Sequence, residues 1–221
     1  MGEMIAIKRP DGSAAKAYFV DAKGPGVVVL QEWWGLQGQI KGICDRLAKA
    51  GFAALAPDLY DGFVADYHDT AGAERAMGAL DGEAATAGAI RGAALHLKSQ
   101  GRKVGLTGFC LGGLLTALGA MRIKEIDAGA AFYGLPSPQA GDPGKLAVPL
   151  QGHFANTDDW CTPSAVDAFE KASRAAPVPP EIFRYDAQHG FMNQDRPQYD
   201  AASAALSWDR MMGFWRRHLG G

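Results

Sequence analysis

The sequence predicts an α/β protein built on a mostly parallel, doubly wound sheet that opens with an antiparallel hairpin. Short β-branched or aromatic runs alternate with longer helical patterns, which suits strands covered by helices on both faces. Gly26–Gln31, GVVVLQ, holds a continuous apolar run of the kind a strand buried on both faces requires. No repeat, linker or composition break divides the 221 residues, so the chain reads as one domain over 1–221.

Each element follows from its own pattern. MIAIKR and AKAYFV flank the Asp11-Gly12 turn signal and form the hairpin. Gly38 to Ala50 has helical spacing through Ile40, Ile43 and Leu47 and stops at Gly51. FAALAPDLY supplies a strand and then a loop at Pro57-Asp58. Residues 61–82 are weakly periodic and rich in Asp, Gly, Ala and Met; they suit a cap segment over a pocket or a surface excursion. Glu83 to Lys98 is an Ala-rich helix, KVGLTG a strand, and Leu111 to Met121 the helix after it. Asp127–Tyr133 and Val148–Phe154 are strands. Thr162-Pro163 opens a helix to Arg174 with a cap and an N1 proline. EIFRYD is the last strand and Tyr199 to His218 the closing helix.

Composition excludes several classes. Hydrophobic residues make up 48% of the chain, enough for a sizeable core. The net charge is −2 with Lys and Arg scattered, so no nucleic-acid footprint is present. No apolar run reaches the roughly 18 residues of a spanning helix, and no membrane partner is expected. MGEMIAIKRPDGS lacks the features of a signal peptide. Three cysteines at wide spacing, Cys44, Cys110 and Cys161, make no disulfide framework. A cytoplasmic protein is expected, a monomer or weak homo-oligomer.

The most specific motif is GFCLGG, Gly108–Gly113, which fits the nucleophile-elbow pattern with Cys in place of Ser. A strand that turns at once into a helix strains its central residue, and side chains two positions away on either side would collide. Gly108 and Gly112 remove those collisions. Cys110 then stands at the carboxyl edge of the sheet and at a helix N-terminus, which favours a thiolate. Cys44 lies on a helical face beside Leu47 and suits the core; Cys161 could touch the pocket.

A cysteine nucleophile benefits from a base, and the base from an orienter, in the order nucleophile, acid, histidine along such a chain. ANTDDWCTP follows one late strand and AQHGFMN follows the last. His189 is the candidate base, ahead of His68, His96, His153 and His218; His153, inside a strand, suits the core. Spacing alone leaves Asp158 and Asp159 open as orienter. No ligand spacing among Cys161, His153 and His189 supports a metal.

With these residues in hand, the chain resembles the dienelactone hydrolases (carboxymethylenebutenolidases) over nearly its whole length. QEWWG at Gln31–Gly35, PDLY at Pro57–Tyr60, the elbow, FYG at Phe132–Gly134 and HGF at His189–Phe191 carry the resemblance in order. It implies an α/β-hydrolase fold, a small ester or lactone substrate and no cofactor. It also implies Asp159 as the orienter, because the family acid lies four residues before a proline and Pro163 matches. Glu32 corresponds to the family glutamate that contacts the resting cysteine. The oxyanion hole is expected from the Leu111 and Trp33 amides.

Two positions depart from the family. Arginines that hold the substrate carboxylate are replaced, one by Asn193; the other falls at Thr70, and Arg75 serves only if the loop shifts. A neutral or differently charged substrate is expected. Trp33, Trp34, Tyr60, Tyr133, Trp160 and Phe191 could wall an apolar pocket, and several suit packing equally. The resulting expectation is a hydrolase acting through a Cys110–His189–Asp159 triad and an acyl-enzyme. A non-catalytic binder of the same fold and a thiol redox sensor are the competing readings.

Overall fold

A computed structural model describes residues 2–220. β1 (Glu3–Lys8) and β2 (Ala14–Val20) pair antiparallel, and β2 pairs antiparallel with β4 (Ala53–Pro57). The Asp11 carboxylate closes the turn by accepting from the Ser13 amide and hydroxyl at 2.9 and 2.7 Å. β3 (Gly26–Leu30), β5 (Val104–Phe109), β6 (Ala128–Phe132), β7 (Leu150–Thr157) and β8 (Glu181–Gln188) continue the sheet in parallel. The order is β1-β2-β4-β3-β5-β6-β7-β8. This is the predicted mostly parallel sheet with its N-terminal hairpin.

β3 has β4 on one side and β5 on the other, so the winding direction reverses there. Open α/β sheets bind ligands at such a switch point, outside the carboxyl ends of the strands. Every residue of β3 and of β5 is buried, as the apolar run predicts. Their register sets Leu30 beside Gly108, so the loop after β3 emerges next to the elbow.

Helices cover both faces. α1 (Gly38–Lys49) buries Ile40, Ile43, Cys44 and Leu47, and shares one core with Met211, Phe214 and Trp215 of α7 (Ala201–His218). α4 (Arg91–Lys98) and α5 (Leu111–Arg122) form the core on the opposite face around Leu97, Leu106 and Leu115. α6 (Pro163–Ser173) is capped by Thr162, whose hydroxyl accepts from the Ala165 amide at 3.2 Å. Among the described residues no helix is long and apolar enough to cross a membrane.

Two segments differ from the sequence pattern. Residues 61–82 contain a helix, α2 (Thr70–Ala79), capped by Asp69, which accepts from Gly72 at 2.8 Å. A bridge between Gly35 and Val64 and a bond from the Ala65 amide to the Trp34 carbonyl (2.9 Å) tie this excursion to the loop after β3. The expected helix from Glu83 does run to Lys98 but is wound unevenly: α3 (Gly82–Ala85) passes through a π-helical turn, Thr86–Ile90, before α4. There the Thr86 hydroxyl donates to the Gly82 carbonyl at 2.7 Å, a side-chain bond that bends helices.

α5 meets β3 with no room for a side chain at Gly112, where a Cβ would sit 2.6 Å from the Leu30 carbonyl oxygen. Gly112→Ala is expected to lower unfolding free energy by about 1–3 kcal/mol in urea titrations. Gly38→Ala, where a Cβ meets nothing within 4 Å, is the control and should lose nothing.

Candidate active site

Cys110 joins β5 to α5 with φ 55° and ψ −113°, a conformation an L-residue holds only under strain. Its amide donates to the Phe132 carbonyl at 3.0 Å, and its carbonyl accepts from Leu114 at 3.1 Å. The turn is therefore fastened from both sides. The strain projects the side chain off the sheet edge at the first turn of α5. This is the elbow geometry the glycines predict.

His189 follows β8, and Gly190 at φ 83° turns the chain away behind it. Its Nδ1 lies 2.8 Å from Asp158 Oδ2, not from Asp159. The expectation of Asp159 is corrected here. β7 runs on to Thr157, and its register with β8 shifts between Ala155 and Thr157. That irregularity turns Asp158 inward and leaves Asp159 exposed on the cleft wall. Asp158 is locked in its turn, its Oδ1 accepting from the Trp160 and Cys161 amides at 2.8 and 2.9 Å.

Burial opposes charge on the His189 ring, but the Asp158 carboxylate and the neighbouring Cys110 sulfur outweigh it and push the ring up to about 10. Carboxylate, imidazole and sulfur are thus gathered at one edge of the sheet. The fully buried histidine, His153, is spent on Tyr185 (2.7 Å) and Gln151 (2.8 Å), stacks on Phe132, and is pushed down by burial to about 3. It belongs to the core, as its strand position suggests.

Glu32 sits beside this group, 5% exposed. Its Oε1 accepts from the Tyr133 hydroxyl at 3.0 Å and its Oε2 from the Asn193 amide at 2.7 Å. The contact with the resting sulfur implied by the family resemblance is not the one seen. Both carboxylate oxygens already have donors, one of them at the position where the family carries arginine. Burial still pushes this carboxyl up, against those two hydrogen bonds. Tyr133 reaches it from a strained backbone of φ 36°, with its ring edge-on to His189 at 5.1 Å.

A cleft of about 270 Å³ opens over these groups, with Trp33, Trp34, Trp160, Asn193 and Arg196 in its wall. Three expectations about the pocket change. Phe191 is fully buried against Tyr133 and Tyr185 and serves packing. Tyr60 and Arg75 line a separate cavity of about 650 Å³ together with Arg9. Asn193 is fully buried; its amide donates to Glu32 and to the Tyr67 hydroxyl (3.3 Å), so it supports the site from behind. The cleft nevertheless has a cation, Arg196, whose Nη1 donates to the Tyr67 carbonyl at 2.8 Å and whose guanidinium lies 4.9 Å over Trp34.

Tyr67, Met77 and Arg196 were not anticipated from sequence. Only Arg196, three residues past Asn193 in a loop adjoining the histidine, carried any signal. Among the described residues no group of three or more His, Cys, Asp or Glu is gathered as a metal site.

The model of the dienelactone hydrolase family matches residues 13–219. The chain belongs to the dienelactone hydrolase family. It is 34% identical to "Protein usf" of Aquifex pyrophilus, over 99% of this chain and all of that one. It is 33% identical to a protein of Aquifex aeolicus named "Putative carboxymethylenebutenolidase", with the same coverage. Among solved structures it is similar to a "Putative Dienelactone Hydrolase" from Klebsiella pneumoniae, with a TM-score of 0.88, 28% identity and 99% of each chain covered. A dienelactone hydrolase-like promiscuous phosphotriesterase from metagenomic libraries matches at TM-score 0.82 and 26% identity, also over 99% of each chain. The fold is that of the α/β-hydrolases.

Two outcomes follow from the pairing of His189. Asp158→Asn should lower kcat by about a hundredfold or more, whereas Asp159→Asn should stay within a few-fold; equal losses would contradict the assignment. The ring's charge also stabilises the fold. That contribution is fully present below the ring's ordinary value of 6.5 and is lost as pH rises through about 10. The Tm difference between the wild type and His189→Asn should therefore narrow across that window.

Proposed function

We propose that the protein hydrolyses small carboxylic esters or lactones through a Cys110–His189–Asp158 triad. The observation that carries this reading is the His189 ring, held at Nδ1 by a buried carboxylate and lining one cleft with the elbow sulfur. Family membership and the carboxymethylenebutenolidase name of a relative matched over its whole length support the substrate class.

The Cys110 thiolate adds to the ester carbonyl, and the oxygen takes up the displaced electron pair. The Leu111 and Trp33 amides, neither of which donates to another backbone group, are free to receive that oxyanion. Preorganised donors of this kind each contribute about 3 kcal/mol. Collapse expels the alkoxide, which takes its proton from His189 and leaves a thioester on Cys110. His189, now neutral, removes a proton from water as the water attacks the thioester. The acid departs as the carbon–sulfur bond breaks, and His189 keeps the proton taken from the water. Asp158 holds the ring's tautomer and orientation throughout. Glu32, supported by Tyr133 and Asn193, keeps a carboxyl beside the ring without occupying the sulfur.

Arg196 gives the cleft a receptor for an acidic substituent, in place of the arginine positions this chain lacks. Stoichiometric alkylation of Cys110 should abolish ester turnover, and Cys110→Ala should be inactive; full esterase activity in that variant would refute the reading. Arg196→Gln should raise KM for a carboxylate-bearing ester about tenfold or more, with a much smaller effect on a neutral one.

A further inference from the structure

A second chamber meets the cleft at the sulfur. It measures about 590 Å³, against about 270 Å³ for the cleft itself. Cys110, His189, Trp160 and Met77 line both, so the reactive group stands at the seam between them. Leu111 lines only the second chamber and Trp33 only the first. A carbonyl oxygen held between their two amides would therefore sit on the seam, with the carbonyl's two substituents diverging into opposite spaces.

The two spaces differ in chemistry. The cleft carries Glu32, Asp159 and Arg196, while no Asp, Glu, Lys or Arg lines the second chamber. Its walls include Leu114, Leu135 and Phe169, and along α6 the residues Ala165, Ala168 and Ala172. These alanines recur at helical spacing on one exposed face, where larger side chains would fill the space. The acidic residues of the same helix, Asp167 and Glu170, turn instead to Arg184 on β8, at 2.6 and 3.2 Å. The volume falls within the range of about 300–1,000 Å³ that small-molecule sites occupy.

We propose that the substrate is an ester with two unlike halves: a bulky apolar half in the chamber under α6 and a short polar half in the cleft beside Arg196. This rests on the hydrolytic reading above and names its substrate class. The apolar half, not a second protein surface, is the occupant, because the chamber ends on the nucleophile.

Two substrate series test this in the full-length protein: ethyl esters of straight-chain acids from two to eight carbons, and acetates of straight-chain alcohols over the same range. In one series kcat/KM should rise about three- to fourfold per added methylene over several carbons, the gain expected for burying each group. In the other it should stay flat. Ala168→Trp should cut the ratio of long-chain to short-chain kcat/KM by more than tenfold, and Ala172→Leu, also on the exposed face, should do so more mildly. Binding of n-alkyl methyl ketones, followed by tryptophan fluorescence, reads the chamber without turnover and should tighten with chain length. If ketone binding tightens while no ester is turned over, the chamber stands and the hydrolytic reading falls. Flat profiles in both series from an active enzyme would overturn the inference and leave the hydrolytic reading intact. So would ketone affinities that ignore chain length, or a dimer that Ala168→Trp dissociates while the profiles stay flat.

Discussion

The strained backbone of Cys110 is the constraint on which the arrangement depends. A residue at φ 55° between a buried strand and a helix is held only because every neighbour fixes it. The amide is bound to β6, the carbonyl is bound within α5, and Gly112 lets the helix lie against the β3 carbonyl. Strain of this type, about 1–3 kcal/mol, is offset by the fully buried strands on either side. The same compact turn leaves the first amide of α5 without a backbone partner. The position of the Cys110 sulfur and the unpaired amide beside it are therefore one structural decision.

Around that point the molecule sets two carboxyl groups to different tasks. Asp158 has its oxygens filled by two backbone amides and an imidazole. Glu32 has neutral donors only, a phenol and an amide, and burial pushes it upward. An imidazole between them reads one as its partner and the other as a neighbour. The distinction comes from hydrogen-bond donors, since both side chains are almost entirely buried.

Much of this was legible in the sequence. Periodicity revealed the hairpin, the central strands and most helices, because burial on one face or two imposes a spacing on apolar residues. The elbow and His189 were legible because sharp turns demand glycine, and GFCLGG and HGF record that demand. The orienter was not. Asp158 and Asp159 are adjacent, and an irregularity in β7 pairing decides which one faces inward; a bulge leaves no mark in the residue types. A spacing rule carried over from relatives chose the wrong neighbour for that reason. Arg196 and Tyr67 were hidden for another. They come from segments far apart in sequence, and only the anchoring of residues 61–82 to the loop after β3 brings them together.

The departures from the family pattern are not independent of one another. An amide at Asn193 cannot clamp a carboxylate, but it can donate to Glu32 and to Tyr67 at once. Both oxygens of Glu32 are thereby supplied with donors, one from Asn193 and one from Tyr133. The cation lost at that position returns at Arg196, held at the rim by a backbone carbonyl and by the face of Trp34. The charged groups of the cleft lie on one side of the sulfur, and the apolar room lined by the α6 alanines lies on the other. One buried amide thus fills Glu32 and meets Tyr67, while the cation of the cleft comes from a different residue.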